Sequence, residues 1–259
     1  MKQCVFIGGK QIGTETLRAL VQAGIRPQLV IPNPDDDGKN GLHESLILEA
    51  QKHNLPLLTG VKIRDAQTIE AIQSLKPELI FCIGATQIIP KEVLDIPKLG
   101  TVNLHPALLP KYRGRYSTVH ALFNGETHTG VTLHFMDSGI DSGPIISQVR
   151  YKITADDTGK TLYDKFTWEG TRLISDFIRD WKDGKEIRAT PQNEGEATYY
   201  PKGLPNGGEI DWTWSGEQIL RFIRAMTFPP YPSASFTLAG KKMIIVDESV
   251  CFKDFDHRK

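Results

Sequence analysis

The sequence predicts an α/β fold: a doubly wound, mostly parallel sheet carrying a small C-terminal α+β subdomain. Three features predict it. Strand-like and helix-like patterns alternate through the first half, which implies right-handed βαβ units. A long amphipathic helix follows the last strand pattern. A stretch rich in Pro, Gly and Asn over 191–208 then separates this body from roughly 50 C-terminal residues, too few for a fold of their own.

In chain order, QCVFI (3–7) reads as a strand and TETLRALVQA (14–23) as a helix. A strand QLVI (28–31), helical stretches over 42–53 and 69–76, and a strand LIFCI (79–83) follow. Thr101–His105 and Gly130–Met136 extend the sheet, and PIISQVRYKI (144–153) adds one more strand. Leu162, Phe166, Leu173, Ile174, Phe177, Ile178 and Trp181 recur at helical spacing, and Gly184 stands where a C-terminal cap is expected. That helix closes a catalytic domain spanning 1–190. Residues 191–208 read as a linker crossing the surface. In the subdomain 209–259, Ser215 with Gln218 signals a capping box ahead of Ile219, Leu220, Phe222, Ile223 and Met226. SASFTLA and KKMIIVDE then meet at Gly240 as two strand runs.

Composition excludes several classes. The 259 residues are 39% hydrophobic and 24% charged, as in ordinary globular chains. The longest apolar runs are strand-sized, far below the roughly 20 residues of a bilayer span. With no signal-peptide core at the N-terminus, the expectation is a cytoplasmic protein with no membrane partner. The balance of 31 basic and 31 acidic residues offers no polyanion footprint, so no nucleic-acid partner is expected. Cys4, Cys82 and Cys251 are odd in number and widely spaced, which suits reduced thiols in a core.

Gly8, Gly9 and Gly13 lie between the first strand and helix, but Lys10 occupies a glycine position of the dinucleotide fingerprint, and Thr14-Glu15 replaces the Lys-Ser/Thr of a phosphate loop. A tight βα turn is the better reading, with Lys10 able to reach an anion. Asn103 and His105, two apart on a strand, point to one face. Pro106 ends that strand, leaving both at the carboxyl end where doubly wound sheets bind ligands. An amide beside an imidazole suits a carbonyl whose oxygen becomes negative during attack. Asp141, in the turn GIDSG, could orient that imidazole. His43, His53, His120, His128, His134 and His257 read as ordinary histidines without a site role. No Cys, His and Asp cluster has metal-ligand spacing, so no metal is expected.

NLHPALLPKYRG (103–114) followed by GVTLHFMDSGIDSG (130–143) resembles the signature of the N10-formyltetrahydrofolate-dependent formyltransferases. The likeness spans nearly the whole chain, weakly over the first 75 residues and densely over 79–152. It implies the Rossmann-like formyltransferase fold and N10-formyltetrahydrofolate as cosubstrate. It also implies Asn103, His105 and Asp141 as the catalytic residues. The folate pocket it implies has two loops, Gly84, Ala85, Thr86, Gln87, Ile88 and Ile89, and Met136, Asp137, Gly139 and Asp141, which hold the pterin through backbone groups.

Within the family, KYRGRY and FNGETHTGVTLH are most similar to the sugar-nucleotide N-formyltransferases, and IDW (210–212) with the later FPPYPSASF is similar to the start of the family's C-terminal region. That likeness implies formylation of the amine of a dTDP- or UDP-linked 4-amino sugar, for surface polysaccharide synthesis. Lys10, Arg113 and Arg115 would meet the pyrophosphate, and Tyr116 or Tyr231 would stack on the base. Methionyl-tRNA formyltransferases share these elements but continue into a basic OB-like domain. Here about 30 residues follow Phe228, with acidic Asp247, Glu248, Asp254 and Asp256 among them. The tRNA activity is thus the alternative reading, and a non-catalytic folate-binding protein a third. An exposed hairpin edge at Gly240 predicts a homodimer.

Overall fold

The computed structural model describes residues 2–245; Asp247, Glu248, Cys251, Asp254, Asp256 and His257, together with the end of the last strand run, lie outside the described residues. In chain order the elements are β1 (Cys4–Gly8), α1 (Lys10–Gln22), β2 (Leu29–Pro32), α2 (Leu46–Lys52), α3 (Ala66–Ser74), β3 (Leu79–Ile83) and α4 (Lys91–Leu94). There follow β4 (Thr101–His105), β5 (Arg113–Gly114), α5 (Ser117–Phe123), β6 (His128–Phe135), β7 (Ile145–Lys152) and α6 (Gly159–Lys182). The last are β8 (Tyr199–Tyr200), α7 (Gly216–Met226), β9 (Ser235–Leu238) and β10 (Lys241–Ile244).

Six strands form one sheet in the order β2-β1-β3-β4-β6-β7. The first four are parallel, and β6 and β7 are antiparallel additions. Every residue of β1 and β3 is buried, the continuous apolar pattern of strands covered on both faces. Helix α6 packs one face through Phe166, Ile174, Phe177, Ile178 and Trp181. Its start is set by a capping box of Thr158 and Thr161, and Gly184 follows its end at φ 77°. The Cys4 and Cys82 thiols are buried and unbridged, and burial pushes both up to about 12.

Helix boundaries differ from the sequence reading where loops make unforeseen contacts. Helix α1 begins at Lys10 because the glycine turn is tight enough to enter a helix directly. At Gly8, φ is 143° and a Cβ would lie 1.9 Å from the Ile83 carbonyl oxygen, so only glycine fits. Helix α2 begins at Leu46, since Ser45 caps it and the Asp36 carboxylate accepts from the Leu46 and Ile47 amides at 2.8 and 3.2 Å. Helix α7 carries the expected Ser215–Gln218 capping box and buries Ile219, Phe222, Ile223 and Met226 against α5 and Leu162. Each such side chain contributes about 1.5–3 kcal/mol by leaving water. Within 191–208, β8 pairs in parallel with β5, so this stretch is hydrogen-bonded to the segment that follows β4.

Candidate active site

Strand β4 delivers Asn103 and His105 to the carboxyl end of the sheet, as its two-residue period requires. The following chain turns back so that the Tyr112 carbonyl lies 2.7 Å from His105 Nε2. A carbonyl can only accept, so Nε2 carries a proton and donates it there. His105 Nδ1 faces Asp141 Oδ2 at 3.4 Å, where a proton on Nδ1 would point at the carboxylate. Asp141 belongs to the loop joining β6 and β7, at a left-handed φ of 52°. Its Oδ2 also accepts from the Gly114 amide at 2.8 Å.

The same antiparallel pairing sets His134 of β6 opposite Asn103. His134 Nδ1 donates to the Phe135 carbonyl at 2.7 Å, which leaves Nε2 as an acceptor. The Asn103 Nδ2 amide sits 3.2 Å from it and donates one N–H. This fixes which way the Asn103 amide points and leaves its second N–H for a ligand. Burial pushes the His134 pKa down, against the pull of Asp141, whose Oδ1 is 3.7 Å from Nε2. His134 is thus buried and hydrogen-bonded, as an ordinary core histidine would be, but its partner is the site's own amide. Sequence reasoning left it out; the antiparallel register of β4 and β6 was the signal that could have found it.

The depressed His134 pKa has a consequence for stability. In the unfolded chain this imidazole takes up a proton near the usual value of about 6.5, whereas the folded site resists it. The unfolded state therefore binds more protons as pH falls, and stability declines below pH ~6.5 with a slope of up to about 1.4 kcal/mol per pH unit from this group. Urea midpoints measured from pH 7 to pH 5 are expected to fall, and more steeply than in His134→Gln. Equal slopes would show that His134 does not resist protonation.

The predicted folate loops flank this cluster. Asn33 locks the first: its Nδ2 donates to the Gly84 carbonyl and its Oδ1 accepts from the Thr86 amide, both at 2.9 Å. Gln87 Oε1 accepts from the Ile63 amide, Ala85 is half-buried, Ile89 is buried, and Ile88 is 88% exposed. Among the described residues, the backbone amides of Gln87, Ile88 and Ile89 have no protein acceptor. Such amides could take a heterocycle's acceptors. In the second loop Met136 donates its amide to the Thr101 carbonyl, and Asp137 binds the Gly139 amide and the Ser142 hydroxyl.

Four of the five predicted acceptor-binding residues share one neighbourhood. Lys10 reaches solvent, yet surrounding protein lowers its pKa, opposed by Asp35 and reinforced by Arg115. Tyr231 is raised by burial, then by Tyr116 and Asp35. Neither Lys10 nor Arg115 has an ion-pair partner among the described residues. Arg113 is different. It is 7% exposed, its Nη1 and Nη2 bind Glu194 at 2.9 and 2.6 Å, and its Nε and Nη2 bind Gln192 Oε1 at 3.1 and 2.8 Å. The Glu194 carboxylate raises its pKa further. Its charge is already paired within the protein, unlike those of Lys10 and Arg115. No group of His, Cys, Asp and Glu able to hold a metal occurs among the described residues.

A donor amide, an imidazole and a carboxylate so arranged can stabilise a negative oxygen and move a proton. Comparison with known proteins agrees with such chemistry. The profile of the family described as "Formyl transferase" matches residues 1–178, and that of "Formyl transferase, C-terminal domain" matches residues 205–257. The methionyl-tRNA formyltransferase of Agathobacter rectalis is 35% identical over 92% of this chain and 76% of its own length. That of Geobacillus thermodenitrificans is 36% identical over 93% and 75%. Among solved structures, an N-formyltransferase from Helicobacter canadensis in complex with folinic acid and dTDP-3-aminofucose superposes with a TM-score of 0.79 at 25% identity, over 94% of this chain and 87% of that one. A 4-N formyltransferase from Francisella tularensis shares the fold, with a TM-score of 0.76 at 20% identity over 94% and 96%. With the family profile covering residues 1–178 and relatives alike over most of its length, this chain belongs to the formyl transferase family.

Proposed function

We propose that the protein transfers a formyl group from N10-formyltetrahydrofolate to the primary amine of a nucleotide-linked amino sugar, a dTDP- or UDP-linked 4-amino sugar by preference. The observation that carries this reading is two cations without an ion-pair partner among the described residues, Lys10 and Arg115, together with a row of rings whose first member, His43, feels the Lys10 charge. His43 and Tyr163 lie 5.6 Å apart, Tyr163 and Phe228 5.3 Å, and Phe228 and Tyr231 5.0 Å. Lys160 Nζ is 6.0 Å from the Phe228 ring centre. Cations for a diphosphate beside aromatic faces for a base suit a nucleoside diphosphate. The likeness to the Helicobacter canadensis enzyme, solved with a dTDP-amino sugar, supports the same reading.

The cosubstrate supplies a formyl carbon open to attack by the neutral amine. Asn103 presents its free N–H to the formyl oxygen as charge builds there. His105 and Asp141 hold the proton lost by the amine, at His105 Nδ1 and Asp141 Oδ2, and return it to the folate N10 as the N10–formyl bond breaks and tetrahydrofolate leaves. His134 keeps the Asn103 amide facing the right way.

Methionyl-tRNA is the second reading, favoured by the names of the relatives at 35–36% identity. Against it stand a formal net charge of zero and the exposed Asp35, whose charge acts on Lys10 and would meet a phosphate backbone unfavourably. Calorimetric titration with dTDP and UDP is expected to show binding that Lys10→Ala weakens about tenfold, the loss of one charged contact. No binding of either nucleotide would count against the reading. We also propose a homodimer through the β9–β10 hairpin, where Leu238, Met243 and Ile244 are exposed. A monomer in sedimentation at micromolar concentration would refute that.

A further inference from the structure

Asp141 stands in a left-handed backbone conformation, at φ 52°, which residues with a Cβ adopt sparingly and which surrounding contacts hold here. The contacts that impose it come from the segment 190–200. Gln192 Nε2 donates to the Asp141 carbonyl at 2.8 Å and to the Gly143 carbonyl at 2.7 Å. Its Oε1 accepts twice from Arg113. All of this amide's hydrogen-bonding capacity is therefore used, and its orientation is forced. The carboxylate end of Asp141 depends on the same segment. Its partner, the Gly114 amide, lies in β5, which is held by Arg113 N–H to the Thr198 carbonyl and Arg115 N–H to the Tyr200 carbonyl, both at 2.9 Å. That approach is close: a Cβ on Gly114 would lie 2.1 Å from the Tyr200 oxygen. Side-chain packing does not fill the gap between segment and loop. A cavity of about 320 Å³ lies there, lined by Arg113, Ile140, Ser142, Ala197, Thr198 and Tyr199. Hydrogen bonds carry the coupling.

We propose that Gln192 is a positioning residue: through it the segment 190–200 clamps the loop bearing Asp141 and sets the distance from that carboxylate to His105. Arg113 and Glu194 hold Gln192 in turn. The consequence for catalysis rests on the function proposed above; the clamp itself does not.

Gln192→Glu is the selective test, because the carboxylate keeps the length and the Arg113 contact but has no N–H for Asp141 or Gly143. Two readouts are made on the full chain. Hydrogen exchange over 137–143 is expected to quicken in the variant. Turnover on an accepted amino sugar is expected to fall about 10–100-fold, the scale of a small misplacement near the reacting groups, with KM for the folate within about threefold. In an Asp141→Asn background the same change should cost less than about threefold, since residues acting through one group are not additive. A merely structural role would lower both backgrounds alike. Should Gln192→Glu not fold, Gln192→Met is carried through the same cycle. Unchanged exchange over 137–143, or an equal loss in both backgrounds, overturns the proposal. If the wild type turns over no amino sugar, the acceptor assignment fails, while the exchange measurement still decides for or against the clamp.

Discussion

Replacing His105 with alanine is expected to lower single-turnover formyl transfer by about 10²–10⁴-fold, the loss typical of an acid/base group. His105 is 4% exposed, its Nε2–H is held by the Tyr112 carbonyl, and its Nδ1 faces Asp141 Oδ2 at 3.4 Å. Nδ1 is the position on the ring where a proton can be gained or lost without breaking the Tyr112 hydrogen bond. Folate affinity should stay within a few-fold, because the backbone amides at 87–89 belong to a separate loop locked by Asn33. Asp141→Asn is expected to act in the same direction, by removing the carboxylate that faces Nδ1. A wild-type rate in His105→Ala would remove this residue from the mechanism.

The second large effect concerns Asn103. Truncation to alanine is expected to cost about 10²–10³ in rate, the loss measured when one donor to a developing oxyanion is removed. The claim is that the amide acts as an oriented donor, and His134 makes it specific. With Nδ1 tied to the Phe135 carbonyl, His134 can only accept from Asn103, so the amide cannot turn its oxygen inward without losing that bond. His134→Leu should therefore reproduce part of the Asn103→Ala loss with little change in folate binding. Rapid-quench measurement of the three proteins checks this. Full activity in both variants would mean that the formyl oxygen is stabilised elsewhere.

Local physics explains what was legible in the sequence. Asn103 and His105 could be placed together because a strand's period is two and Pro106 ends it at the ligand-binding edge. The order of elements, the long helix ending near Gly184 and the Ser215 cap were legible for the same reason: each is set by residues close in sequence. His134 was not, because its role arises from register with a partner strand 31 residues away. The pairing of Arg113 was not legible because its partners Gln192 and Glu194 lie in a stretch whose Pro, Gly and Asn content suggests only a surface crossing. The start of α2 was misplaced by a contact from Asp36, ten residues upstream of the amide it caps.

The most direct test of the account is a panel of acceptors assayed with N10-formyltetrahydrofolate at low and moderate salt. The panel holds dTDP- and UDP-linked 3-amino and 4-amino sugars and charged initiator tRNA. The account predicts turnover of a nucleotide-linked amino sugar, with a dTDP-4-amino-4,6-dideoxyhexose the first choice. It also predicts a specificity constant that changes little with salt, because only one diphosphate is bound. A tRNA substrate would instead lose roughly 0.7–0.9 log units of affinity per contacted phosphate for each tenfold rise in salt. Efficient, steeply salt-dependent formylation of methionyl-tRNA with no turnover of any amino sugar would contradict the account.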